Sequence, residues 1–265
     1  MAYALEGKKV LVTGGSSGIG AALARAFAER GATVGICARR EGRLLEVLDD
    51  CRKFSPDSRM WVVDLAELGG VQAFAEQADD ELGGIDVLVN NAGIPKRRRV
   101  SALGVDDVDA VMAINYLSPV RMTLALLPRM LERGGGRIVT VSSVAARLSP
   151  PGEAAYCASK AALSAFFESL AVELWDDPVD IHMVYPGVID TELFHLPGND
   201  PTLADVEALP PEALAAAVMD QLDAGRFEIW LPDWMGEVAA GKPGNIEGYL
   251  AGAAAYLKER ETAGG

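Results

Sequence analysis

The sequence predicts an α/β fold in which helices cover both faces of a doubly wound parallel sheet. Short runs that are apolar throughout alternate with longer helical patterns along most of the 265 residues. Strands without polar positions are typical of a sheet that is buried on both faces, and the intervening helices supply its crossover connections. Half of the residues are hydrophobic, and no internal repeat or Pro/Ser-rich linker divides the chain. We therefore expect one three-layer αβα domain over residues 1–265.

The predicted elements follow one another in a regular order as far as the sixth strand. An irregular stretch rich in Pro, Asp and Leu, from about Glu192 to Pro211, follows that strand. Ligands of such sheets bind beyond the carboxyl ends of the strands, so we predict a variable substrate lid at about 192–225. Helices are predicted at about 18–30, 211–224 and 246–261, besides those between the other strands. The predicted strands are Lys9–Thr13, Ala32–Cys37, Arg59–Val63, Asp86–Val89, Arg137–Val141, Asp180–Val184 and Phe227–Leu231.

The composition argues against several classes of protein. A net charge of −14 disfavours a nucleic-acid partner, which requires a basic surface. The three cysteines are widely spaced, and no His, Asp and Glu cluster has metal-ligand spacing, so neither a disulfide framework nor a metal site is predicted. The first residues lack the basic-then-apolar order of a signal peptide, and no apolar run approaches the ~20 residues of a membrane span. We expect a soluble, cytoplasmic protein.

A glycine-rich segment joins the first strand to the first helix. It reads TGGSSGIG, with Gly14, Gly18 and Gly20 in a G-x-x-x-G-x-G spacing. Glycines at such a turn let the backbone approach a pyrophosphate, whose charge the helix N-terminus stabilises. Glycines also serve tight turns, but the preceding strand and the following helix are the context that a dinucleotide site requires. The segment therefore predicts a Rossmann-like nucleotide site.

The end of the second strand bears on the choice of cofactor. Sites for NAD usually place an Asp or Glu there to accept from the ribose 2′-hydroxyl, whereas this chain reads Cys37-Ala38-Arg39-Arg40. A guanidinium such as that of Arg39 can pair with the 2′-phosphate of NADP, and Ala38 brings no repelling charge. The alternative is that both arginines are ordinary solvated charges. We predict NADP(H) rather than NAD(H).

Four polar residues form the candidate catalytic group. Tyr156 and Lys160 are four positions apart in a predicted helix and therefore share one of its faces. A free phenol, with a pKa of about 10, is a poor base at neutral pH, and an ammonium nearby favours the phenolate. We therefore predict that Lys160, and oxidised nicotinamide when it is bound, lower the pKa of Tyr156, which then gives or takes the proton of a substrate oxygen. The family resemblance that the chain shows as a whole implies that Ser143, which would hydrogen-bond that oxygen, and Asn115 complete the group.

Together these segments resemble the short-chain dehydrogenase/reductase family. The resemblance covers roughly residues 8 to 191 and rests on five motifs in the family's order. Besides the glycine spacing, these are Asn90-Asn91-Ala92-Gly93, Asn115, the Y-x-x-x-K pair with Ser143 thirteen positions before Tyr156, and the segment from Pro186 to Thr191.

The resemblance implies roles for further residues. Asn115 is expected to hold a water that links Lys160 to solvent, and Ile189 and Thr191 are expected to contact the nicotinamide amide. A seven-stranded parallel sheet is implied, with a homodimer or homotetramer built through the helix that carries Tyr156. Asp64 has the alternative interpretation of a helix N-cap. The cofactor-binding residues predicted by motif and resemblance are Gly14, Ser16, Ser17, Gly18, Ile19, Gly20, Arg39, Arg40, Asp64, Leu65, Asn91, Ala92, Gly93, Tyr156, Lys160, Pro186, Gly187, Ile189 and Thr191.

These motifs predict an NADP(H)-dependent oxidoreductase that interconverts a ketone or aldehyde and an alcohol by hydride transfer. The Leu, Phe and Trp content of the C-terminal part favours an apolar or acyl-type carbonyl substrate. Two alternatives stay open. One is a catalytically silent NADP(H)-binding sensor, which a turnover assay would reveal. The other is an epimerase or dehydratase of the extended branch, which generally needs a larger C-terminal region and shows no net consumption of nicotinamide.

Several further residues have a structural and a functional interpretation. The basic run Lys96–Arg99 is typical of a solvated surface, with docking of a phosphate-bearing acyl carrier as the alternative. His182 lies in an apolar strand and is predicted to be a core residue, whereas His195 is predicted to be a solvated residue of the lid. Trp230 and Trp234 are predicted to close the core, with a role in shaping an apolar pocket as the alternative.

Overall fold

Seven parallel strands form the sheet around which the chain is built, as the sequence predicts. The computed structural model describes residues 4–203 and 206–263, apart from the side chains of residues 195, 261 and 263. The strands are β1 Lys9–Thr13, β2 Thr33–Ala38, β3 Arg59–Val62, β4 Val87–Asn90, β5 Gly136–Val141, β6 Val179–Pro186 and β7 Glu228–Leu231. They lie in the order β3-β2-β1-β4-β5-β6-β7, and every pairing is parallel.

Helices connect the strands and cover the sheet on both sides. Short 3-10 turns lie at 68–70, 100–102, 192–195 and 242–245, and one π-helical turn lies at 113–117. The α-helices of the described residues are α1 Gly18–Glu29, α2 Glu41–Arg52, α3 Val71–Leu82, α4 Val105–Met112, α5 Ser118–Glu132, α6 Ala145–Leu148, α7 Ala154–Glu173, α8 Pro211–Asp223, α9 Trp234–Gly241 and α10 Ile246–Ala263.

Alternate residues of each strand face two separate helical layers. In β1, Val10 and Val12 belong to the core that α1, α2 and α8 cover, whereas Leu11 belongs to the core beneath α3, α5 and α7. All three side chains are completely buried. Burial of one such side chain contributes about 2 kcal/mol of favourable transfer free energy. Packing on both faces therefore explains why the strands carry so few polar residues.

The strand order reverses between β1 and β4. The chain builds β2 and β3 on one side of β1 and then returns to place β4, β5, β6 and β7 on the other side. Such a reversal opens a crevice beyond the carboxyl ends of the two central strands. The glycine-rich loop that follows β1 and the segment 91–93 that follows β4 meet at this crevice, so the fold itself places both motifs at one site.

One helical run is long and apolar enough to cross a membrane by length and composition alone. It extends from Val105 to Glu132 through α4, the turn 113–117 and α5, and a window of 18 residues within it has a mean hydropathy of 1.4. Our expectation that no membrane span is present is therefore not confirmed. Met122, Leu126 and Met130 of this run are completely buried against the sheet core. Packing within the fold accounts for the apolar character of that face.

The periphery of the fold departs from two expectations. β3 is a strand at the edge of the sheet, and its Arg59 and Val62 are exposed because only one strand pairs with it. Trp230 stacks on the buried ring of Tyr185 with 4.4 Å between ring centroids, as predicted for a residue that closes the core. Trp234 is 51% exposed, so the same prediction is wrong for that residue.

His182 is a core residue, as the sequence predicts. His182 is buried in β6, where its Nδ1 lies 2.7 Å from the carbonyl oxygen of Arg226. Cys37, Cys51 and Cys157 are buried and unpaired. The side chain of His195 lies outside the described part of the chain, so its interpretation stays a prediction.

Candidate active site

The glycine-rich loop is shaped for close approach of a ligand to its backbone. Gly14 and Gly18 have φ values of 68° and 52°, in the left-handed region that favours glycine. A Cβ atom at Gly20 would lie 2.4 Å from the Gly14 carbonyl oxygen. Ser17, the N-cap of α1, makes no side-chain capping hydrogen bond. The first N–H groups of α1 therefore remain for another acceptor, and these features fit the pyrophosphate of a dinucleotide.

The loop after β4 is tied to the glycine-rich loop by hydrogen bonds. The N–H groups of Asn91 and Ala92 donate to Thr13 Oγ1 at 2.9 and 3.0 Å, and Asn91 Nδ2 donates to the Thr13 carbonyl at 2.9 Å. A Cβ atom at Gly93 would lie 3.6 Å from Nζ of Lys160. The segment 91–93 thus connects the nucleotide loop with the candidate catalytic group.

The two arginines after β2 have different partners. Arg39 is largely exposed, and its Nη1 lies 3.7 Å from a carboxylate oxygen of Asp64. Arg40 reaches across the glycine-rich loop, where its Nη2 donates to Ser17 Oγ at 2.7 Å and its Nη1 to Glu192 at 2.6 Å. Arg40 is thus about half exposed and in contact with the glycine-rich loop, whereas Arg39 is largely solvated. The sequence pointed first to Arg39 as the phosphate partner, whereas the structure places Arg40 on the loop.

The residues after β3 have a structural role beside their predicted contact with the cofactor. The carboxylate of Asp64 accepts from the backbone N–H of Ala66 at 3.0 Å and so stabilises the turn 64–67. Leu65 is buried at 4% exposure. The alternative interpretation of Asp64 as a helix N-cap is wrong, because its carboxylate stabilises a turn and the next helical segment begins at Leu68.

Tyr156, Lys160 and Ser143 come together where α7 crosses the end of β5. Lys160 is 4% exposed, and its Nζ donates to the carbonyl of Val141 at 2.8 Å. The same Nζ lies 5.9 Å from the centroid of the Tyr156 ring. Ser143 is 9% exposed, and its Oγ accepts from the backbone N–H of Ala145 at 3.1 Å. Helix spacing and strand end therefore bring the three predicted catalytic side chains into one cluster.

The pKa values of this cluster correct one prediction. Burial lowers the pKa of Lys160 to about 8, because it disfavours the ammonium. Burial raises the pKa of Tyr156 above its ordinary value, and an interaction with Ser143 lowers it only in part. The prediction that Lys160 lowers the pKa of Tyr156 is therefore wrong for the protein without cofactor, since desolvation of the phenol dominates. A further positive charge in the cleft is needed to favour the phenolate.

Asn115 lies in the π-helical turn between α4 and α5 and is completely buried. Its Oδ1 accepts from the backbone N–H of Ile94 at 2.8 Å, and its Nδ2 donates to the Ile94 carbonyl at 3.0 Å and to Ser159 Oγ at 3.1 Å. The side chain thus joins the loop after β4 to the helix that carries Tyr156. Its predicted contact with a water stays a prediction.

The segment 186–191, which ends β6, lies against the glycine-rich loop. Leu209 pairs with the backbone on either side of Ile189, in hydrogen bonds that use neither the N–H nor the carbonyl of Ile189 itself. Thr191 lies so close to Gly18 that a Cβ atom there would be 2.8 Å from Thr191 Cγ2. The two residues predicted to contact the nicotinamide are therefore at the crevice.

A buried arginine holds the lid, which the sequence did not indicate. Arg97 is only 5% exposed. Its Nη2 donates to the carbonyl of Phe194 at 2.6 Å, its Nε to that of Asp200 at 3.0 Å, and its backbone N–H to Asn199 Oδ1 at 2.7 Å. The guanidinium also lies 5.3 Å from the centroid of the Phe194 ring. These contacts fix residues 194–200 against the segment that follows β4.

The rest of the basic run is also engaged in contacts within the chain. Lys96 Nζ lies 2.6 Å from a carboxylate oxygen of Asp107, and the Lys96 side chain is only 16% exposed. Arg98 donates to the carbonyl of Gly198 at 3.3 Å. The interpretation of Lys96–Arg99 as a solvated surface is therefore wrong for its first two residues. The interaction with an acyl carrier stays a prediction.

Two carboxylates of the site were missed in the sequence. Glu153 precedes Tyr156 by three positions, so the same helix spacing that paired Tyr156 with Lys160 indicates it. Burial raises the pKa of Glu153, and the positive charge of Arg97 lowers it in part. Glu192 contacts Arg40 and Arg43, which lie about 150 positions earlier. No local pattern reveals such a pair.

The comparisons with known proteins identify the family. The family described as short chain dehydrogenase matches residues 8–200. A short chain dehydrogenase of Pseudocercospora fijiensis is 41% identical over 194 residues, which cover 71% of this chain and 62% of that relative. The chain belongs to the short-chain dehydrogenase/reductase family. Because the match spans less than two thirds of that relative's length, the activity, substrate and partners of the whole protein are matters for proposal.

Two solved structures show the same fold. A short chain dehydrogenase/reductase from Burkholderia phymatum in complex with NAD has a TM-score of 0.84 at 23% identity, and the match covers 92% of this chain and 96% of that one. A short-chain dehydrogenase from Sphingobium yanoikuyae in complex with NADPH has a TM-score of 0.81 at 25% identity, with 92% and 95% covered. The chain therefore has the Rossmann-like fold of these two structures, one of which is a complex with NAD and the other a complex with NADPH.

Proposed function

We propose that this protein is an NADP(H)-dependent oxidoreductase that interconverts a ketone or aldehyde and an alcohol. The observation that carries the proposal is the cluster in which buried Lys160 lies 5.9 Å from the ring of Tyr156, with Ser143 beside the phenol. This cluster lies at the same crevice as a glycine-rich loop that fits a pyrophosphate. The proposal also assigns the cofactor contacts predicted above to the residues of that loop and of the segments 91–93 and 186–191.

Each residue of the cluster has a distinct part in the proposed reaction. The nicotinamide, when bound, supplies or accepts the hydride. Tyr156 donates the proton to the carbonyl oxygen in reduction and takes it back in oxidation. Ser143 donates a hydrogen bond to that oxygen as negative charge develops on it. Lys160 lies close to the ring of Tyr156, where its charged form stabilises a phenolate. Asn115 holds the loop after β4 against α7.

Arg40 is the residue that supports NADP(H) over NAD(H) in this proposal. Its guanidinium lies on the glycine-rich loop, within reach of Ser16 and Ser17 at 3.4 and 2.7 Å. A guanidinium in this place suits a 2′-phosphate, which accepts paired hydrogen bonds. Arg39 directly precedes Arg40 in the sequence, and its side chain is the more exposed of the two.

Exposed apolar side chains in the lid support the proposal that the substrate is an apolar or acyl-type carbonyl compound. Leu193 and Leu196 are 39% and 36% exposed although they are large and apolar. A bound apolar group would cover such side chains and remove them from water, which is favourable at about 25 cal/mol per Å². The buried charges of Arg97 and Glu153 lie close enough to influence Tyr156, so a polar group on the reacting end is compatible with the site.

We further propose a cytoplasmic homodimer or homotetramer formed through α7. Val172, near the end of this helix, and Trp175, two residues beyond it, are 73% and 82% exposed, and Leu124 of α5 is 57% exposed. An interface between protomers would remove such large apolar side chains from water.

The substitution Tyr156→Phe tests the proposed reaction. The phenol is the proposed proton donor, so we expect the variant to lose about three orders of magnitude in turnover while it still binds NADPH with unchanged Kd. NADPH oxidation is first screened over 3-oxoacyl thioesters, steroids, quinones, aldehydes and sugars, and the best substrate is then used for both proteins. Tyr185→Phe is the matched control, because Tyr185 is also buried but lies outside the cluster.

The outcomes separate the candidate functions. A kcat of Tyr156→Phe within tenfold of the wild type would refute the role of the phenol. Tight NADPH binding by the wild type without any turnover would favour the sensor. Product formation without net NADPH consumption would favour an epimerase or dehydratase.

A further inference from the structure

Glu192, in the first turn of the lid, makes ion pairs with Arg40 and Arg43. Its Oε2 accepts from Arg40 Nη1 at 2.6 Å, and its Oε1 accepts from Arg43 Nη2 at 3.3 Å. Arg40 simultaneously donates to Ser17 Oγ through its other terminal nitrogen. One carboxylate therefore connects the lid, the start of α2 and the glycine-rich loop.

This carboxylate occupies the place where the 2′-phosphate of a bound cofactor is proposed to lie. Under the proposed function, the guanidinium of Arg40 binds the 2′-phosphate of NADP(H). Arg40 Nη1 donates to a carboxylate oxygen of Glu192 at 2.6 Å, so this donor is already used and a phosphate oxygen would need it. The arginines hold the pKa of Glu192 below its ordinary value, so the group is an anion at neutral pH. Two anions on one guanidinium repel each other, so binding of a phosphate beside Glu192 is less favourable than binding in its place.

Space is available for the carboxylate to move. A cavity of about 430 Å³ lies between α1, α2 and the lid, and its lining includes Ser17, Arg43, Glu46, Thr191 and Glu192. Glu192 is about half exposed, as is Arg40, so neither side chain is fixed by surrounding core atoms. Displacement of Glu192 would also act on Thr191, its neighbour in sequence, which lies against Gly18.

We propose that Glu192 is a specificity-determining residue for the cofactor: its carboxylate occupies Arg40 and Arg43 in the free protein, and the 2′-phosphate of NADP(H) displaces it and releases the first turn of the lid. The inference rests on the proposed use of NADP(H). NAD(H) has no 2′-phosphate, so it leaves the ion pair intact and the lid attached to α2. The two cofactors thus bind to different states of the segment that carries Thr191.

The substitution Glu192→Gln tests this inference by binding measurements alone. Removal of the internal anion should strengthen binding of adenosine 2′,5′-bisphosphate and NADPH about three- to fivefold, which is the size expected from a half-exposed ion pair. Binding of AMP and NADH should change less than twofold, because these ligands do not displace the carboxylate. Kd values are measured by isothermal titration calorimetry for the dinucleotide halves and by NADPH or NADH fluorescence for the full cofactors.

Glu46→Gln is the matched control. Glu46 also pairs with Arg43, at 3.6 Å, and it lines the same cavity, but it belongs to α2 and makes no ion pair with Arg40. Both substitutions change the net charge equally, so a general electrostatic effect would appear in both. We expect Glu46→Gln to bind all four ligands within twofold of the wild type.

The results separate failure of this inference from failure of the proposed cofactor. If the wild type prefers the 2′-phosphorylated ligands, Arg40→Ala removes that preference and Glu192→Gln equals the wild type, then the role of Glu192 is refuted and NADP(H) use stands. An equal gain for AMP and for the bisphosphate would refute it as well. If the wild type does not distinguish the two ligands, the proposed NADP(H) preference fails and the inference fails with it.

Discussion

The catalytic cluster and the lid are held in place by different kinds of contact. Tyr156 and Lys160 are neighbours on one helix, and Lys160 is fixed by a backbone carbonyl of the adjoining strand. The lid, by contrast, is held by side chains from distant parts of the chain: Arg97 lies 97 positions before Phe194, and Arg40 lies 152 positions before Glu192. The cluster is therefore part of the core. In the predicted lid, α8 also packs in the core, so only residues 192–200 are attached by charged side chains and act as the lid.

This difference indicates which part can change without unfolding the protein. The contacts of Lys160 and Asn115 involve the backbone of the sheet and the loop after β4, so they persist as long as the sheet does. The contacts of Arg40 and Glu192 are about half exposed and compete with water and salt. We expect the catalytic cluster to be rigid and the lid to open and close on it.

The largest expected effect concerns the burial of Lys160. Its folded-state pKa of about 8 lies below the ordinary 10.5, so between these pH values the unfolded chain binds more protons than the folded one. The free energy of unfolding that Lys160 contributes should therefore rise with pH across this window, by about 3 kcal/mol in total. Below pH 8 the cost of burying the ammonium is present in full.

Chemical denaturation of the wild type and Lys160→Met between pH 7 and 11 measures this effect. The stability advantage of the methionine variant should be greatest at pH 7 and disappear toward the upper end of the range. Parallel pH profiles for the two proteins would show that the charge of Lys160 is well solvated, and the contrast between a buried cluster and a mobile lid would then lose its main support.

A second prediction concerns the attachment of the lid by Arg97. Arg97→Met keeps a long apolar stem but loses the two donors to the carbonyls of Phe194 and Asp200. Each charge-assisted bond contributes about 1.5–3 kcal/mol, partly replaced by water when the lid opens, so we expect the open form to be about tenfold more populated. The rate of chymotrypsin cleavage within residues 193–196 should rise by the same factor.

Arg98→Met is the control for this experiment. Arg98 makes a single 3.3 Å bond to the lid from a more exposed position, so its loss should change the cleavage rate less than twofold. Equal cleavage rates in the wild type and Arg97→Met would mean that other contacts hold the lid. The comparison between core and lid would then need a different physical basis.

The smallest expected effect separates the two arginines after β2. Arg40→Ala should lower the ratio of NADPH to NADH affinity about fivefold, because Arg40 lies on the glycine-rich loop. Arg39→Ala should lower it about twofold, since that side chain is largely exposed and pairs with Asp64. Fluorescence titration of both variants with both cofactors measures the ratio. If Arg39→Ala lowered the ratio more than Arg40→Ala, Arg39 would be the main phosphate partner, as the sequence predicts.

Sequence patterns identified the sheet and the catalytic cluster because both depend on short spacings. The seven predicted strands agree with β1 to β7 to within one or two residues at most ends, since apolar runs and glycine turns are local signals. The pair Tyr156 and Lys160 follows from one helical turn in the same way. The family resemblance then supplied Ser143 and Asn115, which the fold brings to the same place.

The contacts of the lid could not be predicted in this way. The run Lys96–Arg99 is typical of a solvated surface, and nothing near it in sequence indicates that Arg97 becomes buried. The carbonyl groups that accept from Arg97 are backbone atoms, which every residue has, so no side-chain pattern marks them. The raised pKa of Tyr156 was likewise missed, because it depends on how completely the fold removes the phenol from water.

The π-helical turn at 113–117 has a consequence for how this chain can vary in length. Such a turn accommodates one residue more than a regular helix, and each residue of a helix rotates its direction by about 100°. Loss of a single residue here would make the helical run from Val105 to Glu132 a regular α-helix, and the amide of Asn115 would rotate away from Ile94 and Ser159. Insertions and deletions between the fourth and fifth strands should therefore collect before this turn, in the stretch 95–104, where helical phase is not at stake.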